Sequence, residues 1–183
     1  MKRLALALAV TSAFTLGVPA PAVAASMETY EARATATDAA ALAHEDMIEA
    51  FGTDTLEPGK YLWRDVPDDG EGQRVVIGLG DQLAYLYRGN DLVAVASIST
   101  GRDGHPTPVG IFSVLEKQPM YHSKKYDNAA MPWMQRIDKY GIALHAGHNP
   151  GEPASHGCIR LPSAFAKKLY ATTDVGTPVL IGG

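Results

Sequence analysis

Between Arg74 and Ser99 the chain reads as three short apolar segments separated by turn residues. Arg74-Val-Val-Ile-Gly-Leu79, Gln82-Leu-Ala-Tyr-Leu-Tyr87 and Leu92-Val-Ala-Val-Ala-Ser-Ile-Ser99 are β-branched or alternating. Gly80-Asp81 and Gly89-Asn90-Asp91 stand between them. Segments this short cannot each bury a helical face, and turns this tight connect neighbouring antiparallel strands. The pattern predicts a mostly β protein, a sandwich or barrel, and excludes an all-helical bundle. Ile111–Leu115, Tyr140–Leu144 and Val179–Ile181 are read as further strands, and Ser163 opens a short C-terminal helix with Phe165 and Leu169 one turn apart. A helix is expected over Thr37–Phe51, capped by Asp38, with Leu42, Met47, Ile48 and Phe51 partly on one face and Gly52 as its stop. Pro67–Gln73 and Thr100–Gly110 read as loops.

The ends divide differently. Met1-Lys-Arg3, the apolar run Leu4–Val18 and the small residues Ala22-Val-Ala24 have the layout of a secretory signal peptide cut after Ala24. The alternative, a single membrane anchor, is disfavoured by the short run and by Pro19 and Pro21. No cysteine near the cleavage site supports a lipoprotein, and no later segment is apolar enough to span a bilayer, so no stable membrane anchor is expected after cleavage. The expected division is 1–24 signal peptide, 25–55 N-terminal extension or linker, and 56–183 a single domain, with periplasmic or cell-envelope localisation. The formal charge is −4, and losing Lys2 and Arg3 makes it −6. An acidic chain of this kind is not built to coat nucleic acid.

One cysteine, Cys158, is present in all 183 residues, so no internal disulfide can form and the core must hold the fold. It lies in Gly141-Ile-Ala-Leu-His145-Ala-Gly-His148 … Ser155-His-Gly-Cys-Ile-Arg-Leu-Pro162, which also carries three of the six histidines. A thiol attacks as thiolate, and an imidazole takes its proton or stabilises the anion. Gly157, directly before the thiol, permits an unusual backbone and close approach of a substrate. Successive N–H groups at such a turn can converge on an oxyanion. Two histidines compete as base: His145, held at the end of an apolar strand, and His156, two residues from Cys158 and so on the same side of an extended segment. Ser155 is expected to bond locally and shape the turn. His44 reads as a surface residue, and His105 and His122 as loop or rim residues.

The run Ser155–Pro162, preceded by an apolar strand ending in His and then Ala-Gly, resembles the signature of the L,D-transpeptidases, the YkuD-type cysteine enzymes of bacterial cell walls. Thr107-Pro-Val-Gly-Ile-Phe112, Met131-Pro-Trp-Met134 and the closing helix and strand resemble the same family, and Pro58–Trp63 resembles the lead-in of one branch. The resemblance covers residues 56 to 182. It implies a β-sandwich or barrel-like YkuD-type catalytic domain. It implies Cys158 as nucleophile, His145 as base with the Ala146 carbonyl orienting its ring, and His156 in a supporting role. Gly157 and Cys158 would supply oxyanion N–H groups. Arg160, where many members carry Asn, is a candidate for a substrate carboxylate through its fork of donors, the alternative being a structural ion pair. Tyr121 and Trp133, in a long aromatic stretch over Glu116–Asp138 read as a loop and possible lid, are candidate substrate contacts, the alternative being simple packing. The implied partners are peptidoglycan stem peptides and an amine acceptor on a second stem or a wall protein, with no cofactor and no metal. Three alternatives stand beside this: hydrolysis of the thioester, zinc bound by His145, His148, His156 and Cys158, and a non-catalytic wall-binding module.

Overall fold

The computed structural model describes residues 26–67 and 72–183. The expected signal peptide, residues 1–24, lies outside them, as does part of the expected loop 67–73. Ten strands and two helices follow in the order α1 (Tyr30–Phe51), β1 (Tyr61–Trp63), β2 (Gln73–Gly78), β3 (Leu83–Arg88), β4 (Asp91–Ser97), β5 (Gly110–Ser113), β6 (Glu116–His122), β7 (Ala130–Arg136), β8 (Ala143–Ala146), β9 (Ile159–Leu161), α2 (Ser163–Thr172) and β10 (Pro178–Gly182). They form a six-stranded sheet ordered β1-β4-β3-β2-β10-β5 and a four-stranded sheet ordered β6-β7-β8-β9. The mostly β expectation holds, with an N-terminal helix and a short C-terminal helix as expected.

The six-stranded sheet is apolar on both faces, which is why its strands read as nearly unbroken hydrophobic runs. Val75, Ile77, Ala84, Leu86, Val179 and Ile181 point to one side and join Leu144, Ile159, Leu161, Phe165 and Leu169 in the main core. Val76, Leu83, Tyr85, Tyr87 and Val95 point to the other and pack under Ala43 and Met47 of α1. The two-residue period of a strand sorts neighbours onto opposite faces.

Helix α1 corrects the expected start and cap of the N-terminal helix. It begins at Tyr30 rather than Thr37, because Thr29 is the cap: its hydroxyl accepts the Ala32 N–H at 3.2 Å. Gly52 ends it in a left-handed conformation, as read. Its buried face is Ala32, Ala36, Ala43 and Met47. Leu42 and Ile48, expected on that face, are 60% and 47% exposed. Small residues serve this contact because the helix backbone lies almost against β10; a Cβ on Gly182 would meet the Ala36 carbonyl oxygen at 2.4 Å. His44 is not simply a surface residue, since its Nδ1 lies 3.2 Å from Asp81, which also accepts the Tyr85 hydroxyl.

The second correction concerns Glu116–Asp138. It is not a loop but an antiparallel hairpin, β6 with β7, in register from Glu116↔Arg136 to His122↔Ala130, which also puts His122 in a strand. The prolines Pro119 and Pro132 and a solvent-facing side hide its alternation. Two pairings are parallel rather than antiparallel: β10 with β2, and β8 with β9.

Candidate active site

Strand β8 places His145 and strand β9 follows directly from Cys158. Their parallel register sets Leu144 against Ile159, His145 against Arg160 and Ala146 against Leu161. Cys158 and Arg160, two apart in extended backbone, face the same side as His145. The cleft they share is about 630 Å³ and is lined also by Tyr121, Met131, Met134, His148, Ser155 and His156. That size suits a ligand of a few residues. Its apolar floor is Met131, Met134 and Ala143, packed with Tyr121 and Cys158.

His145 is 8% exposed. Its Nδ1 lies 2.9 Å from the Ala146 carbonyl oxygen. A carbonyl only accepts, so Nδ1 carries the proton and Nε2 keeps its lone pair. Desolvation holds the imidazole below its ordinary proton affinity, and the Arg160 charge adds to this; the Ala146 carbonyl opposes. Burial pushes the Cys158 thiol up, with the Asp138 carboxylate adding, against the Ala143 N–H and Arg160. Both shifts favour the uncharged forms, thiol and imidazole.

The turn around the thiol is fixed by backbone contacts. Ser155 Oγ donates to the Cys158 carbonyl at 2.6 Å and accepts the Gly157 N–H at 3.0 Å. Gly157 stands at φ 109°, and a Cβ there would meet Ile142 at 2.6 Å. Its N–H, expected to help hold an oxyanion, is thus already taken by Ser155. The Cys158 N–H donates to no atom among the described residues and is a free donor of the turn, as is the His156 N–H. The loop after β4 ties this turn to the large sheet: Ser99 and Arg160 exchange backbone bonds of 3.1 and 2.9 Å, and Arg102 N–H donates to the Ser155 carbonyl at 3.1 Å.

His156 sits at the rim. Its Nε2 accepts from Arg102 at 2.9 Å, and its ring stacks on Tyr126 at 4.3 Å and meets His105 edge-on at 4.8 Å. Desolvation, then the charge of Arg102 and of His105, Arg160 and Lys125, lower its proton affinity. With Nε2 engaged, it is not free to serve the thiol. Arg160 lays its aliphatic stem on Gly147, where a Cβ would meet its carbons at 3.0 to 3.2 Å, and it forms no ion pair among the described residues. Trp133 does not line the cleft. Its backbone turns left-handed, φ 57°, and its ring packs on Tyr170 of α2 at 5.6 Å. That break in alternation lets Met131 and Met134, three apart, both reach the cleft floor. Among the described residues no three His, Cys, Asp or Glu side chains gather as a metal site, which removes the four-ligand zinc arrangement.

Two contributors escaped sequence reasoning. Buried Asp138 accepts the N–H groups of Tyr140, Gly141 and Ile142 on one oxygen at 2.8 to 2.9 Å. This shapes the turn whose Gly141 carbonyl receives the Cys158 thiol at 3.7 Å. An Asp three residues before a Gly was the available signal. Thr107, buried, accepts the Gly101 N–H and donates to the Gly157 carbonyl at 2.8 Å; the run it opens was singled out by resemblance, but its bond to a partner fifty residues away was not.

Residues 72–181 match the family described as L,D-transpeptidase catalytic domain, YkuD. The chain belongs to this family. It is 31% identical over 113 residues to L,D-transpeptidase 3 of Mycobacterium tuberculosis, covering 52% of this chain and 41% of that protein. The structure of that transpeptidase in complex with a faropenem-derived adduct is similar in fold, with TM-score 0.57 and 23% identity over 61% of this chain and 60% of that one. The L,D-transpeptidase of Stackebrandtia nassauensis has TM-score 0.58 and 27% identity over 64% and 58%. The matched part of this chain thus spans between 41% and 60% of these relatives' lengths.

Proposed function

We propose that the chain is an exported peptidoglycan L,D-transpeptidase that works through a thioester on Cys158. The observation that carries this reading is the His145 ring, held by the Ala146 carbonyl so that Nε2 is a free base in the cleft of Cys158. Substrate binding brings the carbonyl after the L-centred third residue of a tetrapeptide stem to the thiol. The sulfur attacks that carbon as its proton passes to His145 Nε2. The oxyanion takes the free Cys158 N–H. The C–N bond to the terminal D-Ala breaks, and its amine leaves with the proton from His145. A second amine, on another stem or on a wall protein, loses its proton to His145 and displaces the thiol, which regains that proton. A backbone carbonyl in the orienting role explains why no Asp or Asn completes a triad.

Purified muropeptides incubated with the protein and read by mass spectrometry test the outcome. A cross-linked dimer is expected; a shortened monomer would make the protein a hydrolase, and no change would favour a wall-binding module. Activity is expected to survive EDTA. The faropenem-derived adduct of the mycobacterial relative supports a second expectation. A carbapenem should add one drug mass to the wild type, on the Ser155–Arg160 peptide, and none to Cys158→Ser. Export is proposed on the layout of residues 1–24, and N-terminal sequencing of exported protein should begin at Ala25 or within a residue or two.

A further inference from the structure

The charge of the cleft runs against that of the chain. The full sequence carries a formal −4, yet the cleft is lined by Lys124, Lys125, Arg136 and Arg160 against a single carboxylate, Glu116. Arg136 and Glu116 neutralise each other, Nε to Oε2 at 2.8 Å. Lys124, Lys125 and Arg160 form no close ion pair among the described residues, whose ion pairs are His44–Asp81, Arg64–Asp91 and Arg136–Glu116; Lys124 acts on Glu116 only at longer range. Arg102 joins them at the rim, donating to the uncharged acceptor His156 Nε2. Cations gathered this way repel one another and do not help the fold. They raise the local concentration of an anionic ligand and discriminate against its neutral analogue.

We infer that the cleft, in the reading of the site proposed above, selects stem peptides whose non-reacting carboxyl groups are free, over the same peptides bearing carboxamides. The arrangement fits a ligand with an aliphatic middle and several carboxylates. Met131, Met134 and Tyr121 line the floor, while Lys124 and Lys125 stand exposed on the β6–β7 turn and Arg160 rises from β9. A carboxamide keeps the planar shape of the carboxylate but lacks its charge and exchanges one acceptor oxygen for an NH2 donor. The charge-dependent part of the cost falls with salt, which separates it from the lost acceptor.

The experiment uses the full chain and one synthetic tetrapeptide donor in two forms, free acid and carboxamide at the non-reacting carboxyls. Acylation of Cys158 is timed by intact-mass spectrometry at 50 and 500 mM salt. The free acid is expected to react roughly tenfold faster at low salt, and the ratio should shrink at high salt. In K124Q/K125Q, checked for folding by circular dichroism, the ratio should fall by roughly threefold for each lysine removed. Equal or faster reaction of the carboxamide, or a ratio unmoved by salt and by the double substitution, overturns the inference and leaves the transpeptidase reading intact. If neither peptide acylates a protein that a carbapenem does acylate, the stem-peptide reading falls and this inference with it.

Discussion

The two sheets use the same strand chemistry to opposite ends. In the six-stranded sheet both faces are covered, one by α1 and the other by the main core, and Tyr85, Leu86, Val95 and Ala96 are fully buried. Its polar groups are closed off in pairs. The Tyr87 hydroxyl donates to Asp46 at 2.6 Å, and burial with that bond pushes the phenol well above its usual range. In the four-stranded sheet one face stays open. The hairpin β6–β7 keeps exposed positions, and the groups left with free lone pairs or N–H groups, His145 Nε2 and the Cys158 N–H, face that opening. A sheet covered twice becomes a scaffold, while a sheet covered once keeps room for a substrate. The difference predicts that substitutions will separate into stability effects in one sheet and activity effects in the other.

The largest effects are expected at the open sheet. Cys158→Ala should abolish acyl transfer, by at least roughly a thousandfold, with the thermal midpoint nearly unchanged. His145→Ala should cost about 10²- to 10⁴-fold in kcat/KM. Loss of thermal stability comparable to that of a core variant would blur the contrast. Met47→Ala, under the covered sheet, should destabilise by about 2–5 kcal/mol in urea unfolding, while kcat/KM of the folded fraction stays near wild type. A large activity loss there would mean that α1 communicates with the cleft.

Asp138→Ala should show both signatures, because its carboxylate is structural and its turn touches the thiol. Removing the acceptor of three N–H groups should cost about 1–3 kcal/mol, and displacing the Gly141 carbonyl should lower kcat/KM by roughly 10- to 100-fold. An effect on stability alone would make the thiol contact incidental.

The pH dependence follows from the directions at the pair. His145 is held below its ordinary value of 6.5, so its base form persists to lower pH than a free imidazole's. The acid limb of kcat/KM should therefore have its midpoint below pH 6.5. Because the unfolded chain binds this proton more readily, the same group should lower stability as pH falls below 6.5 toward its folded value. A midpoint above 6.5 would contradict the desolvated environment. The smallest effect is expected for His156→Ala, a few-fold loss in kcat/KM, since its Nε2 is engaged by Arg102. A loss exceeding that of His145→Ala would reverse the assignment of the base.

Legibility in the sequence followed the range of the interaction. Five of the six strands of the covered sheet were readable to within two residues because their apolar patterning is local; the edge strand β1, Tyr61–Trp63, was not. The hairpin β6–β7 was not, since Pro119, Pro132 and the left-handed Trp133 interrupt its period. Cys158, Gly157 and the rival histidines His145 and His156 were legible as candidates by residue type and neighbours, and the choice of His145 as base came from the family resemblance. The role of Thr107 was not legible, because only folding brings the Gly157 carbonyl to it; Asp138 was missed although its contacts with the N–H groups of Tyr140, Gly141 and Ile142 are local.

By itself the sequence determined which atoms can react: one thiol, the histidines near it, and a glycine that admits a left-handed turn. Those properties are intrinsic to side chains and to φ. The tertiary structure alone decided that Arg102 engages His156 Nε2 while His145 Nε2 stays free in the cleft. It also decided which face of which sheet stays open, and that three unpaired cations meet there in an acidic chain. Each of these depends on strand register and on contacts between segments many residues apart, where the physics is burial and hydrogen-bond competition rather than local preference.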